Sequence, residues 1–185
     1  MDLVKSLKDY KPFDSTETHS VKSILDFISS TDNAYSRSNL DGHITGSAFL
    51  LSSDLNRILL THQKASGRWL QFGGHSDGDA NTLRVAVRET IEESGIKNFM
   101  LLTKEIFDVD VHSVPFRASK NEPEHFHYDI RFVFTTEQES FIISDESNDL
   151  KWFTFEEYRA TMHREENIRF IKKWEKLRVT LENKH

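Results

Sequence analysis

The sequence predicts an α/β (α+β) fold in which a mixed sheet carries helices on both sides. Three observations predict it. Strand-like stretches begin near His43 after a helical N-terminal segment, one well-bounded helix interrupts them over residues 80–94, and a helical run closes the chain from about 155. The composition agrees, since 37% of the 185 residues are hydrophobic, 29% are charged, and fourteen Phe with three Trp can fill a core. No apolar run approaches the roughly 18 residues of a membrane span, and MDLVKSLKDYKPF lacks the apolar segment of a signal peptide. A cytoplasmic location is therefore the default expectation, with no membrane partner. There is no cysteine, which excludes disulfides, thiolate metal sites and a Cys nucleophile. The net charge of -6 argues against a nucleic-acid partner, because such binders usually present a basic face.

Taken in order, Leu3–Tyr10 and Ser20–Ser29 read as short helices, the second with Val21, Ile24, Leu25 and Ile28 as its apolar stripe. Residues 1–40 are expected to form a helical extension packed on a main domain of residues 41–185. ITGSAFLLS and NRILLTHQ flank the turn-like SDLN and predict a hairpin. WLQF follows, then a Gly-rich turn is expected at Gly73 and Gly74. The helix over 80–94 places Leu83, Val87 and Ile91 at four-residue spacing toward the core, with Asp79 as N-cap and Gly95 as the left-handed C-terminal residue. Strands are expected at 104–112 and 125–135, joined by SVPFRASKNEPE, with a short strand near Leu150–Phe153. The final stretch, 155–182, reads as a solvated amphipathic helix with Phe170 and Trp174 buried.

Glu89, Glu92 and Glu93 stand at i, i+3 and i+4, so their carboxylates share one helical face. Like charges so placed repel; a divalent cation reverses that sign, because hard ions take oxygen ligands from a few carboxylates. For a bare Glu pair a solvated acidic face is the commoner explanation. Here Arg88 beside the carboxylates, the preceding glycines and the closing Gly95 argue for more.

The stretch Gly74 to Ile96, GHSDGDANTLRVAVRETIEESGI, closely resembles the Nudix signature G-x5-E-x7-R-E-U-x-E-E-x-G-U, where U is apolar. Gly74, Arg88, Glu89, Glu92, Glu93, Gly95 and Ile96 match in place; Ala80 replaces the first Glu and Thr90 fills an apolar slot. LKWFTFEEY also resembles the family's late strand running into a helix. The resemblance implies an α/β/α sandwich over roughly residues 40–165 and metal-dependent hydrolysis of a diphosphate in a nucleoside diphosphate linked to another group, or in a similar small molecule. It implies Mg²⁺ or Mn²⁺ on Glu89, Glu92 and Glu93, with the Gly73 carbonyl as a further ligand and Arg88 orienting the glutamates. Glu89 and Glu93 are candidate bases within the box, and Glu122 or Glu124 from the later loop. Asp77 or Asp79 is a candidate to compensate for Ala80. Two alternatives stay open: a Nudix-fold nucleotide sensor without turnover, and an enzyme like isopentenyl diphosphate isomerase, which the lack of cysteine disfavours.

The strand EHFHYDIRFVF alternates, with His125, His127, Asp129 and Arg131 on one side and Phe126, Tyr128, Ile130, Phe132 and Phe134 on the other. DVDVHS likewise places Asp108, Asp110 and His112 on one face. A polar face inside a largely buried sheet requires partners. The isomerase just named holds a metal through histidines and acids in a similar arrangement, and His43, His75, His127 and Asp129 resemble that set. The resemblance implies a second divalent transition metal or a phosphate site there; ordinary hydrogen bonding is the competing account. Arg117 and Lys120 are candidate phosphate contacts or solvated loop charges, and Trp69 and Gln71 line either the cleft or the core. His62, His112 and His163 receive no role.

Overall fold

The computed structural model describes residues 2–116 and 123–182. The elements, in order, are α1 (Leu3–Asp9), α2 (Ser15–Ser30), β1 (Gly42–Ser52), β2 (Arg57–Gln63), β3 (Trp69–Leu70), β4 (Phe72–His75), α3 (Thr82–Ser94), β5 (Met100–Leu101), β6 (Asp108–Val114), β7 (His125–Thr136), β8 (Ser147–Thr154), α4 (Phe155–Thr161) and α5 (Glu165–Glu182). β1 and β7 pair in parallel along their whole length, from Gly42↔Phe126 to Ser52↔Thr136, and form the middle of a mixed sheet. Such a pair is covered on both faces, and β1 is buried at every position. On its outer edge β1 takes two antiparallel partners in succession, β4 at Thr45–Ala48 and β2 at Leu50–Leu51. β7 does the same with β6 and then β5.

Alternation divides the core in two. Ile44, Ala48, Leu50, Ile130, Phe132 and Phe134 face α1, α2 and α3, where Leu3, Leu7, Ile24 and Ala86 are buried against them. Phe49, Leu51 and Val133 face α4 and α5, meeting Phe155, Tyr158, Phe170, Ile171 and Trp174. Phe49 stacks on Phe170 with ring centroids 3.8 Å apart. α3 lies so close to β1 that a Cβ at Gly46 would come within 2.5 Å of the Thr82 carbonyl oxygen. Among the described residues no helix is long and apolar enough to cross a membrane.

Several expectations need correction. Gly73 and Gly74 are not a turn; they continue β4, where glycine admits close neighbours on both faces. The N-cap of α3 is Asn81, whose side chain accepts from the Arg84 N–H; Asp79 instead pairs with the Arg84 guanidinium at 2.6 Å. The buried face of α3 runs through Val85, Ala86 and Thr90, while Leu83, Val87 and Ile91 flank it half-buried. Thr90 tolerates its apolar slot because its hydroxyl donates to the Ala86 carbonyl at 2.7 Å. Helix α2 starts five residues earlier than read, at Ser15, where Asp14 caps it, and the terminal helical stretch breaks into α4 and α5. Gly95 adopts φ 68° and closes α3 as expected.

Candidate active site

The acidic face of α3 lies against the open edge of β4. The Gly73 N–H donates to Glu93 Oε1 at 2.9 Å. In an extended strand the N–H and C=O of one residue point to the same side, so the Gly73 carbonyl shares that edge. A Cβ at Gly74 would approach the Glu89 carboxylate within 2.5–2.7 Å, so glycine is what lets Glu89 lie on the strand. Arg88 donates to Glu89 Oε1 and to the His75 carbonyl, each at 2.7 Å, and its Nε lies 4.0 Å from Glu92. One guanidinium thus fastens the glutamates to the end of β4.

Burial dominates the electrostatics. Glu93 is pushed up to about 8 by burial, against its hydrogen bond from Gly73 and helped by the charges of Glu89, Glu146 and Glu92. Glu89 is also raised, by burial first, although Arg88 opposes the shift. Glu146, in the loop leading into β8, is a fourth carboxylate bearing on both. No periodicity marks a loop residue, so the sequence carried no signal for it. The donor set fits a hard divalent cation: carboxylates crowded on one edge, a backbone carbonyl beside them, and a single arginine among them.

The remaining candidates are placed as follows. Asp77 and Asp79, considered as substitutes for the missing glutamate, are each held by an arginine instead, Asp77 by Arg37 and Asp79 by Arg84. Ala80 is exposed in the loop before α3. Glu124 is exposed before β7, in the wall of a cleft of about 780 Å³ that it shares with His125, Asn39 and Phe27. Glu122, Arg117 and Lys120 lie outside the described residues. Trp69 is half-buried against Phe153, with centroids 5.1 Å apart, and Gln71 is half-buried between β3 and β4.

On the sheet face opposite α3 a different charge cluster is buried. Arg131 donates to Asp129 at 2.8 Å, Asp110 at 3.0 Å and Asp108 at 3.2 Å. Arg169 and Lys173 of α5 add bonds to Asp108 at 2.8 and 2.7 Å, and Lys173 also reaches Glu17 of α2. These two cations correct the picture of a solvated helix, since Arg169 is 2% and Lys173 8% exposed. Burial opposes charge throughout. The opposite partners outweigh it, so Asp108 and Asp110 stay below the usual carboxylate range and Arg131 stays charged. Asp129 belongs to this network: its second oxygen accepts from Thr45 and Ser47 at 2.8 and 2.7 Å.

Further along that face, β1, β4 and β7 bring imidazoles together. Register sets His43 beside His127, and His75 lies opposite Thr45 on the other edge of β1. Ring centroids are 4.8 Å apart for His43–His75, 4.9 Å for His43–His127 and His43–His125, and 5.2 Å for His75–His127. His125 is the residue sequence reasoning left out of this set, although its place two before His127 put it on the same face. His112 approaches from β6, its centroid 5.6 Å from that of His127 and its Nδ1 3.0 Å from Asp110. Burial and then the neighbouring imidazoles push His127 down to about 2, so its ring is neutral at physiological pH.

The family model of the NUDIX domain matches residues 43–174. A protein of Lactococcus lactis subsp. cremoris named "Probable DHNTP pyrophosphohydrolase" is 26% identical over 138 residues, spanning 75% of this chain and 80% of that protein. The structure of the E. coli dihydroneopterin triphosphate pyrophosphohydrolase is similar in fold, with a TM-score of 0.54, 13% identity, and coverage of 70% of this chain and 92% of that one. A NUDIX-family hydrolase from Clostridium perfringens gives a TM-score of 0.50 at 20% identity, covering 73% of this chain and 97% of that one. The family match spans most of the chain and contains both the glutamate helix and the strand that carries it, and the chain therefore belongs to the Nudix hydrolase family.

Proposed function

We propose that this protein uses a divalent cation, Mg²⁺ or Mn²⁺, to hydrolyse a diphosphate linkage in a nucleoside diphosphate linked to another group, or in a similar small molecule. One observation carries the reading: Glu93 and Glu89 lie against Gly73 and Gly74 of β4, and the exposed Glu92 stands beside them on the same face of α3. Glu89, Glu92, Glu93 and the Gly73 carbonyl would hold the cation. When bound, it would neutralise diphosphate oxygens and make a coordinated water more acidic.

The chain's own groups supply the rest. Arg88 keeps Glu89 in place through a charge-assisted bond and is itself fixed by the His75 carbonyl. Gly73 aims Glu93 through its N–H. Glu89 and Glu93 are the candidate bases: each accepts one bond through Oε1, Glu89 from Arg88 and Glu93 from the Gly73 N–H, which orients its other oxygen. Glu146 adds negative charge that favours cation binding.

The substrate is proposed by class only. The pyrophosphohydrolase name of the L. lactis relative supports a triphosphate-bearing small molecule and makes dihydroneopterin triphosphate the first compound to test. The experiment is a panel of nucleoside triphosphates, dinucleoside polyphosphates, nucleotide sugars and dihydroneopterin triphosphate, incubated with Mg²⁺ or Mn²⁺. Hydrolysis of a diphosphate in at least one member, read by chromatography as its two phosphorylated products or as released pyrophosphate, supports the reading. Binding without turnover across the panel would favour a nucleotide sensor instead.

A further inference from the structure

A second group of donors stands apart from the glutamates. We propose that His43, His125 and His127, with His75 as a fourth donor, form a site for one divalent transition metal ion. Ligand atoms of the first three lie within 4.8 Å of one another, and His75 packs against two of their rings. His43 is 2% and His125 4% exposed, while His127 and His75 are half-buried, so the set lies largely below the surface.

The orientation of His125 is specific. Its Nδ1 lies 2.8 Å from the Pro123 carbonyl, and a carbonyl only accepts, so Nδ1 carries the proton. With one proton on the ring, held at Nδ1, the lone pair of Nε2 faces His127 Nε2, 3.1 Å away. A backbone carbonyl fixing one ring nitrogen while the other faces a shared point is how metal-binding imidazoles are usually oriented. Two imidazole nitrogens on a tetrahedral ion at about 2.05 Å stand roughly 3.3 Å apart. The His125–His127 spacing is already close to that value, and the third donor needs a shift of about 1–2 Å, within reach of a side-chain rotation.

The donors select the ion. An all-imidazole set suits Zn²⁺ and its borderline-soft neighbours and is poor for Mg²⁺, which prefers oxygen. Asp129, expected among the ligands, is committed to Arg131, Thr45 and Ser47 and is excluded. The site would fasten β1, β4 and β7 together. Because the His75 carbonyl accepts from Arg88, the ion would also steady the strand against which Glu89 and Glu93 lie.

The test uses full-length protein stripped with chelator and titrated with Co²⁺, followed by visible absorption. A single equivalent is expected to develop the intense bands of a tetrahedral nitrogen site. Zn²⁺ should bleach them and excess Mg²⁺ should not. His125→Gln and His127→Gln should each weaken Co²⁺ binding at least about tenfold, whereas Glu92→Gln should leave the bands unchanged. Zn²⁺ should also raise the melting temperature of the parent protein, a readout independent of whether a variant folds. The proposal is overturned if the parent shows only pale bands of an oxygen site, if Mg²⁺ displaces the cobalt, or if Glu92→Gln abolishes the spectrum. Unchanged affinity in both folded histidine variants would overturn it equally.

Discussion

Two groups of carboxylates are buried on opposite faces of one sheet, and their electrostatics run in opposite directions. Asp108, Asp110 and Asp129 sit among Arg131, Arg169 and Lys173, and Asp108 and Asp110 stay below the ordinary carboxylate range. Among the described residues Glu89 and Glu93 have Arg88 as their one close cation, and both rise above that range. The first group carries its own cations and welds β6, β7 and α5 together. The second is short of positive charge, which is the condition for recruiting an ion. The contrast sets a self-compensated network against the carboxylates proposed to hold a cation, although both groups are acidic and largely buried.

The largest effect should come from breaking the compensated side. Arg131→Leu removes the cation shared by three aspartates and leaves buried charge unpaired, which costs about 3–5 kcal/mol. Urea unfolding of the parent and the variant would read this as a much lower midpoint. A midpoint near that of the parent would show that Arg169 and Lys173 suffice alone.

The uncompensated side should reveal itself through pH. Glu93 holds a proton in the folded state up to about 8, while the unfolded chain releases it near the ordinary 4.5. Between those values the folded state binds more protons, so chelator-treated protein should lose stability as pH rises across the window. Glu93→Gln should flatten that slope, and Mg²⁺ should stabilise the parent more at the alkaline end, where the proton has left. Asp108 and Asp110 act in the other direction, contributing stability above about 3.8 that fades as pH falls through their lower folded values. Thermal melts of the parent and Glu93→Gln across this range separate the two contributions. Parallel curves for the two proteins would contradict the assignment.

The smallest effect belongs to a pair outside both groups. Asp79–Arg84 is an ion pair whose arginine is 70% exposed, so Asp79→Asn should change stability by less than about 1 kcal/mol. Activity should hardly change, because that carboxylate serves Arg84 and not the glutamate edge.

The glutamate helix was legible because helical spacing alone sets Glu89, Glu92 and Glu93 on one face, and the glycines around it limit what can follow. Strand alternation was equally legible, and it placed His125, His127, Asp129 and Arg131 together. What alternation cannot supply is the neighbour across the sheet. Asp129 gives its oxygens to Arg131, Thr45 and Ser47, and β6 brings Asp108 and Asp110 into register beside the same arginine, so its place in a buried charge network came from tertiary contacts. The burial of Arg169 and Lys173 was hidden for the same reason: on α5 they read as a solvated stripe until Asp108 and Glu17 appear beneath them. Gly73 and Gly74 read as a turn because glycine usually marks one, whereas here close packing against Ser47 and Glu89 is what requires it.

The proposed role of the α3 carboxylates is to hold, at the Gly73 edge, a cation used in hydrolysing a diphosphate. It is tested most directly by measuring turnover of the best substrate in the panel for the parent and Glu93→Gln, each with Mg²⁺ and with chelator. Turnover in the parent should disappear with chelator and return with Mg²⁺ or Mn²⁺. A correctly folded Glu93→Gln protein should lose at least about a hundredfold. Turnover that persists in chelator, or a variant as fast as the parent, would contradict it.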